Sequence, residues 1–437
     1  MVSRLVSVRV AFATLGCKVN RADTSAIRDG LPAGVEVVAF EQPADVYVIN
    51  TCTVTAAADR QSRQLVHRAH RANPSAAVIV TGCLADRRPE EVRAIDGVAH
   101  VASNAAKPLV AAEVARRAGL DPAATKEILP RYRPEEMTRP PLKIQDGCDG
   151  RCAYCAVAAA RGRPTSVDAD RVFAQLFGLG RQGCAEVVLA GIDLGAWGRD
   201  LEPPRRLADL VRRVIRERPV RRVRLSSIEI LHLDDDLVHT IAGTSLICRH
   251  LHLPLQSGAD PVLERMRRPY GAAVYADRVR SARADLGDVV IGADVISGFP
   301  GEREEDHLRT LAMVEELGLA YLHVFPFSPR PSTPAASLSG QVPGPVIRAR
   351  ARELREVGQR LWQRCRRALQ GLETTAVIST KRLGGRFTGF SDQAVPLVTD
   401  CDASLAGRLV RVELGALTET GMEATVIDRL EDARDLQ

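Results

Sequence analysis

Residues 141–157 read PLKIQDGCDGRCAYCAV, and the reading of the whole chain turns on this stretch. Its first four residues signal a short apolar strand, and Cys148, Cys152 and Cys155 follow at once in a glycine-containing loop. Three thiolates this close on one loop can face a single inorganic cluster, and they leave one iron of a 4Fe–4S cube without a protein ligand. An open iron of that kind can take the amino and carboxylate groups of S-adenosylmethionine (SAM). Structural zinc is the rival, but it requires four ligands, usually in CxxC pairs. No fourth Cys or His lies nearby in the sequence.

Downstream, to about residue 345, strand and helix signals alternate. PLKI is followed by AEVVLAG, VRRVRLS, RHLHLPL, DVVIGADVIS and AYLHVFPF. Six such units predict an open, partial (βα)6 barrel, with its active site at the C-terminal ends of the strands. The text at those ends is polar or glycine-rich: AGID (190–193), SSIE (226–229), PLQSG (254–258) and SGFPGE (297–302). Gly191 and Gly298 would let the backbone approach a ligand closely. Ser227 belongs to the same set, Glu229 is a candidate partner for a SAM ammonium or ribose hydroxyl, and Gln256 for an amide-type contact. Helix capping is equally compatible with Glu229 and Gln256. Arg161 and Arg163, in ARGR, could grip a SAM carboxylate or an RNA phosphate. His252 and His323 sit within strands and read as satisfied barrel residues rather than ligands.

Upstream, residues 1–117 carry a second βα rhythm. The runs VSVRVAFATLG, ADVYVINT and AAVIVTG are β-branched and continuous, as strands buried on both faces of a parallel sheet require. Cys17, Cys52 and Cys83 each stand just past one of these runs, in TLGC, INTC and VTGC. The C-terminal ends of parallel strands share one sheet edge, where ligands bind. The three thiols should therefore converge there as ligands of a second 4Fe–4S cluster, again with one iron left open. The other four cysteines, Cys184, Cys248, Cys365 and Cys401, read as small apolar residues.

Residues 118–140 (AGLDPAATKEILPRYRPEEMTRP) read as a linker. The barrel region runs over 141–369, and 370–437 holds short alternating strands: TTAVIST, RFTGF, AVPLVT, GRLVRVELGAL and MEATVID. These predict a small antiparallel β-barrel. The chain is thus α/β throughout its first two domains and all-β in its third.

The chain has 437 residues, a formal charge of +6 and ten cysteines. No run of about 18 apolar residues occurs, so no membrane span is expected. Arg9 interrupts the apolar N-terminal stretch, which reads as a buried strand rather than a leader. Cysteines in these settings suit metal ligation in a reducing cytoplasm. Two runs, Arg212 to Arg224 and Arg348 to Arg367, are dense in guanidinium groups. Each is compatible with an ion-paired helix face or with a surface that tracks phosphates.

Taken together, TLGCKVN, INTCTV, TGC, the cysteine loop, ARGR, LSSIE, HLPLQSGAD, DVISGFPGE and HVFPFSPRPSTPAA resemble the radical SAM methylthiotransferase family over essentially the whole chain. TLGCKVN is similar to the branch acting on N6-threonylcarbamoyladenosine in tRNA. The resemblance implies an auxiliary cluster on Cys17, Cys52 and Cys83, and a SAM cluster on Cys148, Cys152 and Cys155. It also implies SAM as both methyl donor and radical source, a C-terminal RNA-binding TRAM domain, and the tRNA anticodon loop as partner. An electron donor such as flavodoxin or ferredoxin, and a sulfur donor, would complete the system. Ala158 and Ala159 depart from the family, which carries a Pro and a bulky residue there.

Overall fold

The computed structural model describes residues 8–124, 129–331 and 333–430. The start of the first strand signal, the middle of the expected linker and the C-terminal end of the last domain lie outside the described residues. The chain divides into two compact units. The first is Met1–Arg131 with Asp146–Gly150 and Cys155–Pro164; the second is Tyr132–Gln145 with Arg151–Tyr154 and Thr165–Gln437.

The first unit is built on a parallel sheet of five strands: Val8–Thr14, Val35–Val38, Val46–Thr51, Ala77–Gly82 and Val98–Val101. In space their order is second, first, third, fourth, fifth. The three expected strands form the centre, and the third is buried along its whole length. The two edge strands are additional; they are short and only half-buried, so they lack the continuous apolar run that marks the others.

The second unit contains the six expected core strands, Pro141–Lys143, Glu186–Ala190, Arg222–Leu225, His250–His252, Val290–Ser297 and Tyr321–Pro326. They form two parallel three-stranded sheets, ordered third-second-first and fourth-fifth-sixth. The bridges Val223↔Ile247 and Ser227↔His252 join the two into an open barrel wall. Alternate residues such as Val187, Leu189, Val223, Leu225, Ile291, Ala293 and Val295 pack with the helices in one core. Their neighbours along each strand, Glu186, Arg222, Arg224, His252 and Asp294, therefore point to the other face.

The C-terminal strands Glu373–Leu383, Arg386–Ser391, Pro396–Thr399, Leu409–Leu417 and Met422–Arg429 close into a barrel in the order first-second-third-fifth-fourth. One correction to the antiparallel expectation follows, because the third and fifth strands pair in parallel at Leu397↔Met422 and Val398↔Glu423. The linker packs against this barrel through Thr380 Oγ1 to Pro134 O (2.9 Å) and Thr138 Oγ1 to Ser379 Oγ (2.9 Å).

A buried ion cluster joins the core to the barrel. Glu186, fully buried at the start of the second core strand, accepts from Arg222 Nε and Arg224 Nε at 2.8 Å each. Other guanidinium hydrogens serve the C-terminal barrel. Arg222 donates to Thr375 O (2.9 Å) and Phe390 O (3.1 Å), and Arg224 to Asp392 O (2.8 Å) and Ser391 O (3.0 Å). Arg139 lies over the Phe390 ring at 3.5 Å. Thus neither reading of the first arginine run holds for Arg222 and Arg224, whereas Arg212 and Arg213 are ion-paired on a helix face with Asp209, Asp236, Asp170 and Glu217.

Candidate cluster-binding sites

In the first unit, each expected ligand stands where a central strand hands over to a helix. Cys17 is the N-cap of the helix Lys18–Asp29, and Cys83 opens the helix Cys83–Arg87. Both follow a glycine at positive φ, Gly16 at 90° and Gly82 at 95°. A Cβ on Gly16 would come within 2.8 Å of Cys52 Sγ, and one on Gly82 within 2.5 Å of Thr51 N. Glycine is what lets the three turns close on one another. The Thr51 hydroxyl donates to Thr81 O (2.6 Å) and accepts from Leu84 N (3.2 Å), which ties the Cys52 and Cys83 turns together.

The thiols feel one another electrostatically. Burial pushes Cys52 up to about 11, and the charges of Cys83 and Cys17 add to it. Burial likewise raises Cys83, against the opposing pull of Arg161 and Lys107. Three convergent thiols beside two cations suit an anionic cluster, since bound iron favours the thiolate and the cations offset its charge.

Those cations rest on a polar network that the sequence reading did not find. Lys107 Nζ donates to Asp23 Oδ2 (2.7 Å) and Asn20 Oδ1 (3.2 Å), and all three residues are buried. Asn20 Nδ2 donates to Leu15 O (2.8 Å) and Thr51 O (2.9 Å), fixing the loop ahead of Cys17 to the strand ahead of Cys52. Arg161, expected to reach for a carboxylate or phosphate, turns inward instead. Its side chain is 1% exposed, it donates to Asp146 Oδ1 (2.7 Å) and it contacts Asn20 and Asp23. Burial opposes its charge, but Cys83, Asp146 and Asp23 outweigh that and hold it protonated. Arg163 is exposed. The Asn in TLGCKVN was the available signal; Lys107 and Asp23 had none.

In the cysteine loop, each thiol receives an N–H: Gly150 N to Cys148 (3.2 Å), Val157 N to Cys155 (3.3 Å) and Arg268 NH1 to Cys152 (3.2 Å). Donors aimed at sulfur suit thiolate ligands of an iron–sulfur cluster. The residues therefore fit both groups.

Around the second unit's strand ends, Glu229 pairs with Arg268, and burial raises its carboxyl against that pairing. Arg268 thus links Glu229 to Cys152. Gln256 is buried at φ 67°, held by its backbone N to Asp294 O (2.8 Å). Ser227 is bridged to His252. Gly191 and Gly298 make close approaches within the chain: a Cβ would meet Gln145 Oε1 at 2.9 Å and Ile347 Cγ1 at 2.5 Å. Asp193, also missed from the sequence, takes Gln145 Oε1 on its N–H (2.9 Å) and holds His232 Nδ1 (3.0 Å).

Residues 9–103 match the uncharacterized protein family UPF0004, and 142–314 match the radical SAM superfamily. The chain is 37% identical to the threonylcarbamoyladenosine tRNA methylthiotransferase MtaB of Bacillus subtilis, covering 93% of each chain. It belongs to the radical SAM methylthiotransferases. Another member of this family, MtaB of Aquifex aeolicus, is 36% identical over 85% of this chain and 93% of its own. The tRNA-2-methylthio-N(6)-dimethylallyladenosine synthase of Syntrophobacter fumaroxidans is 30% identical over 95% of both. Among solved structures, the radical SAM methyltransferase TsrM of Kitasatospora setae superposes with a TM-score of 0.55 at 16% identity, over 76% of this methylthiotransferase and 75% of TsrM. That likeness concerns the fold. Among the described residues no helix is long and apolar enough to cross a membrane.

Proposed function

We propose that this chain replaces C2–H of N6-threonylcarbamoyladenosine, beside the anticodon of tRNA, with a methylthio group. The observation that carries the reading is the convergence of Cys17, Cys52 and Cys83 on one sheet edge, in a chain that also bears the CxxxCxxC loop. The name of the B. subtilis relative supplies the target base. A cluster held by Cys148, Cys152 and Cys155 would supply one electron for the reductive cleavage of SAM to methionine and a 5′-deoxyadenosyl radical, and one held by Cys17, Cys52 and Cys83 would carry the sulfur. An adenine C2–H is not appreciably acidic, so the protein's own residues orient and shield rather than exchange that proton.

Placement supports the following roles. Cys148, Cys152 and Cys155 would hold the SAM cluster, with Arg268 positioning Cys152. Cys17, Cys52 and Cys83 would hold the auxiliary cluster, with Arg161 and Lys107 balancing its charge. Gly191, Ser227, Glu229 and Gln256 stand at the strand ends where SAM would lie, and exposed Arg163 remains a candidate for RNA phosphate. A flavodoxin- or ferredoxin-like electron donor and a separate sulfur donor would complete the reaction in the cytoplasm, where tRNA is found.

The test is direct. Reconstituted enzyme, SAM and reductant are incubated with tRNA carrying or lacking the threonylcarbamoyl group, and the digested nucleosides are weighed. Methylthiolation confined to the threonylcarbamoyl substrate is expected. Modification of isopentenyladenosine instead, or equal activity on plain adenosine, would overturn the assignment.

A further inference from the structure

The open barrel wall carries a polar network that none of the roles above uses. His252 Nε2 and His323 Nδ1 both meet Asp294 Oδ1, at 2.9 and 3.1 Å. His252 Nδ1 meets the Tyr321 hydroxyl at 3.1 Å, and His250 Nε2 meets that hydroxyl at 2.8 Å. The Tyr321 ring lies against the backbone of Gly292, where a Cβ would collide with it. Every residue of the set stands on the fourth, fifth or sixth core strand, and the Tyr321 ring also meets Trp362 of the helix Gly344–Ala368 edge-on at 6.1 Å.

Exposure within the set is uneven. The His252 side chain is 6% exposed and that of Asp294 23%, whereas that of His323 is 58% exposed. The expectation of a satisfied barrel residue thus holds for His252 and not for His323. Among the described residues His323 Nε2 has no partner, while Nδ1 is committed to a carboxylate. Both neighbouring imidazoles hold the Asp294 carboxyl well below the usual range, against its burial. With Nδ1 on the Asp294 carboxylate, a protonated His323 presents its second ring N–H outward through Nε2. An outward donor with a rigid anionic support is suited to an anion.

We infer that His323, positioned by Asp294 and through it by His252 and Tyr321, is the residue that recognises the carboxylate of the substrate's threonylcarbamoyl group. This rests on the function proposed above and adds the specificity determinant.

The experiment compares two anticodon stem-loops, one carrying the threonylcarbamoyl acid and one its carboxamide. The wild type should favour the acid in kcat/KM by roughly 10- to 100-fold, the size of one charge-assisted hydrogen bond. H323Q should bring that ratio near one by raising KM for the acid, with iron content unchanged. D294N should shrink the ratio as well, whereas a merely structural His323 would lower both substrates together. If the wild type favours the acid and H323Q keeps the preference, the inference falls and the function stands. If the wild type modifies neither stem-loop, the function itself falls. One equivalent of zinc in the wild type, lost in H323Q, would show a metal site instead and would also overturn the inference.

Discussion

Gly82 is one residue from Cys83, a proposed cluster ligand, and touches the backbone of the strand that leads to Cys52, another. Its φ of 95° and its contact with Thr51 leave no room for a side chain. Gly82→Ala should cost about 2–3 kcal/mol through backbone strain and steric displacement, seen as a lower melting temperature. It should also spread the Cys52 and Cys83 turns. Iron after anaerobic reconstitution should then fall from about eight to about four per chain, with SAM cleavage retained. Iron staying near eight would show that the turn tolerates the methyl group. Cys184 and Cys248 mark the contrast. They are buried, their thiols are pushed up mainly by burial, and they serve as packing.

Between elements, the firmest polar joint is the one at Glu186. Burial alone would raise its carboxyl, but Arg224, Arg222 and Arg139 together hold it well below the usual carboxylate range. Removing one member of such a buried set is costlier than its absence would suggest, because uncompensated charge remains. Glu186→Gln should lose about 3–5 kcal/mol at pH 7. Since the folded carboxyl titrates lower than the unfolded one, its contribution is complete above about pH 4.3 and shrinks as pH falls further. The gap between wild type and Glu186→Gln in denaturant melts should therefore narrow below about pH 4. A gap constant down to pH 3 would argue that Glu186 is not ionised in the folded protein.

At the scale of the molecule, the positive charge that RNA could meet is narrower than the arginine count implies. In the helix Gly344–Ala368, Arg350 is buried on Glu302 (2.8 Å) and Arg366 on Gly421 O (2.7 Å), while Arg364 and Arg367 are exposed. Lys381 and Arg382 are exposed at the tip of the hairpin between the first two barrel strands. If these and neighbouring cations meet about five phosphates of a loop, log K should fall with log salt at a slope near −3.5. Reversing Lys381 and Arg382 to Glu should flatten the slope to about −2 and weaken binding without loss of iron. An unchanged slope would place RNA binding elsewhere. Deleting the whole barrel is a poorer test, because it strips the carbonyls from Arg222 and Arg224.

What the sequence determined by itself was the periodic part: the core strands, the barrel strands and the six cysteines placed just past strands. These are legible because burial writes a continuous or an alternating apolar run, and because a cysteine beside a strand's end is a local fact. The half-exposed edge strands Val35–Val38 and Val98–Val101 wrote no such run. Only the tertiary structure decided which charges are spent inside. Arg161 meets Asn20 and Asp23 from more than a hundred residues away, Arg222 meets Phe390, and Asp294 gathers His252 and His323 from two neighbouring strands. A side chain's hydrophobic period depends on its neighbours in sequence, whereas its ionic partner depends on which strands the fold lays side by side.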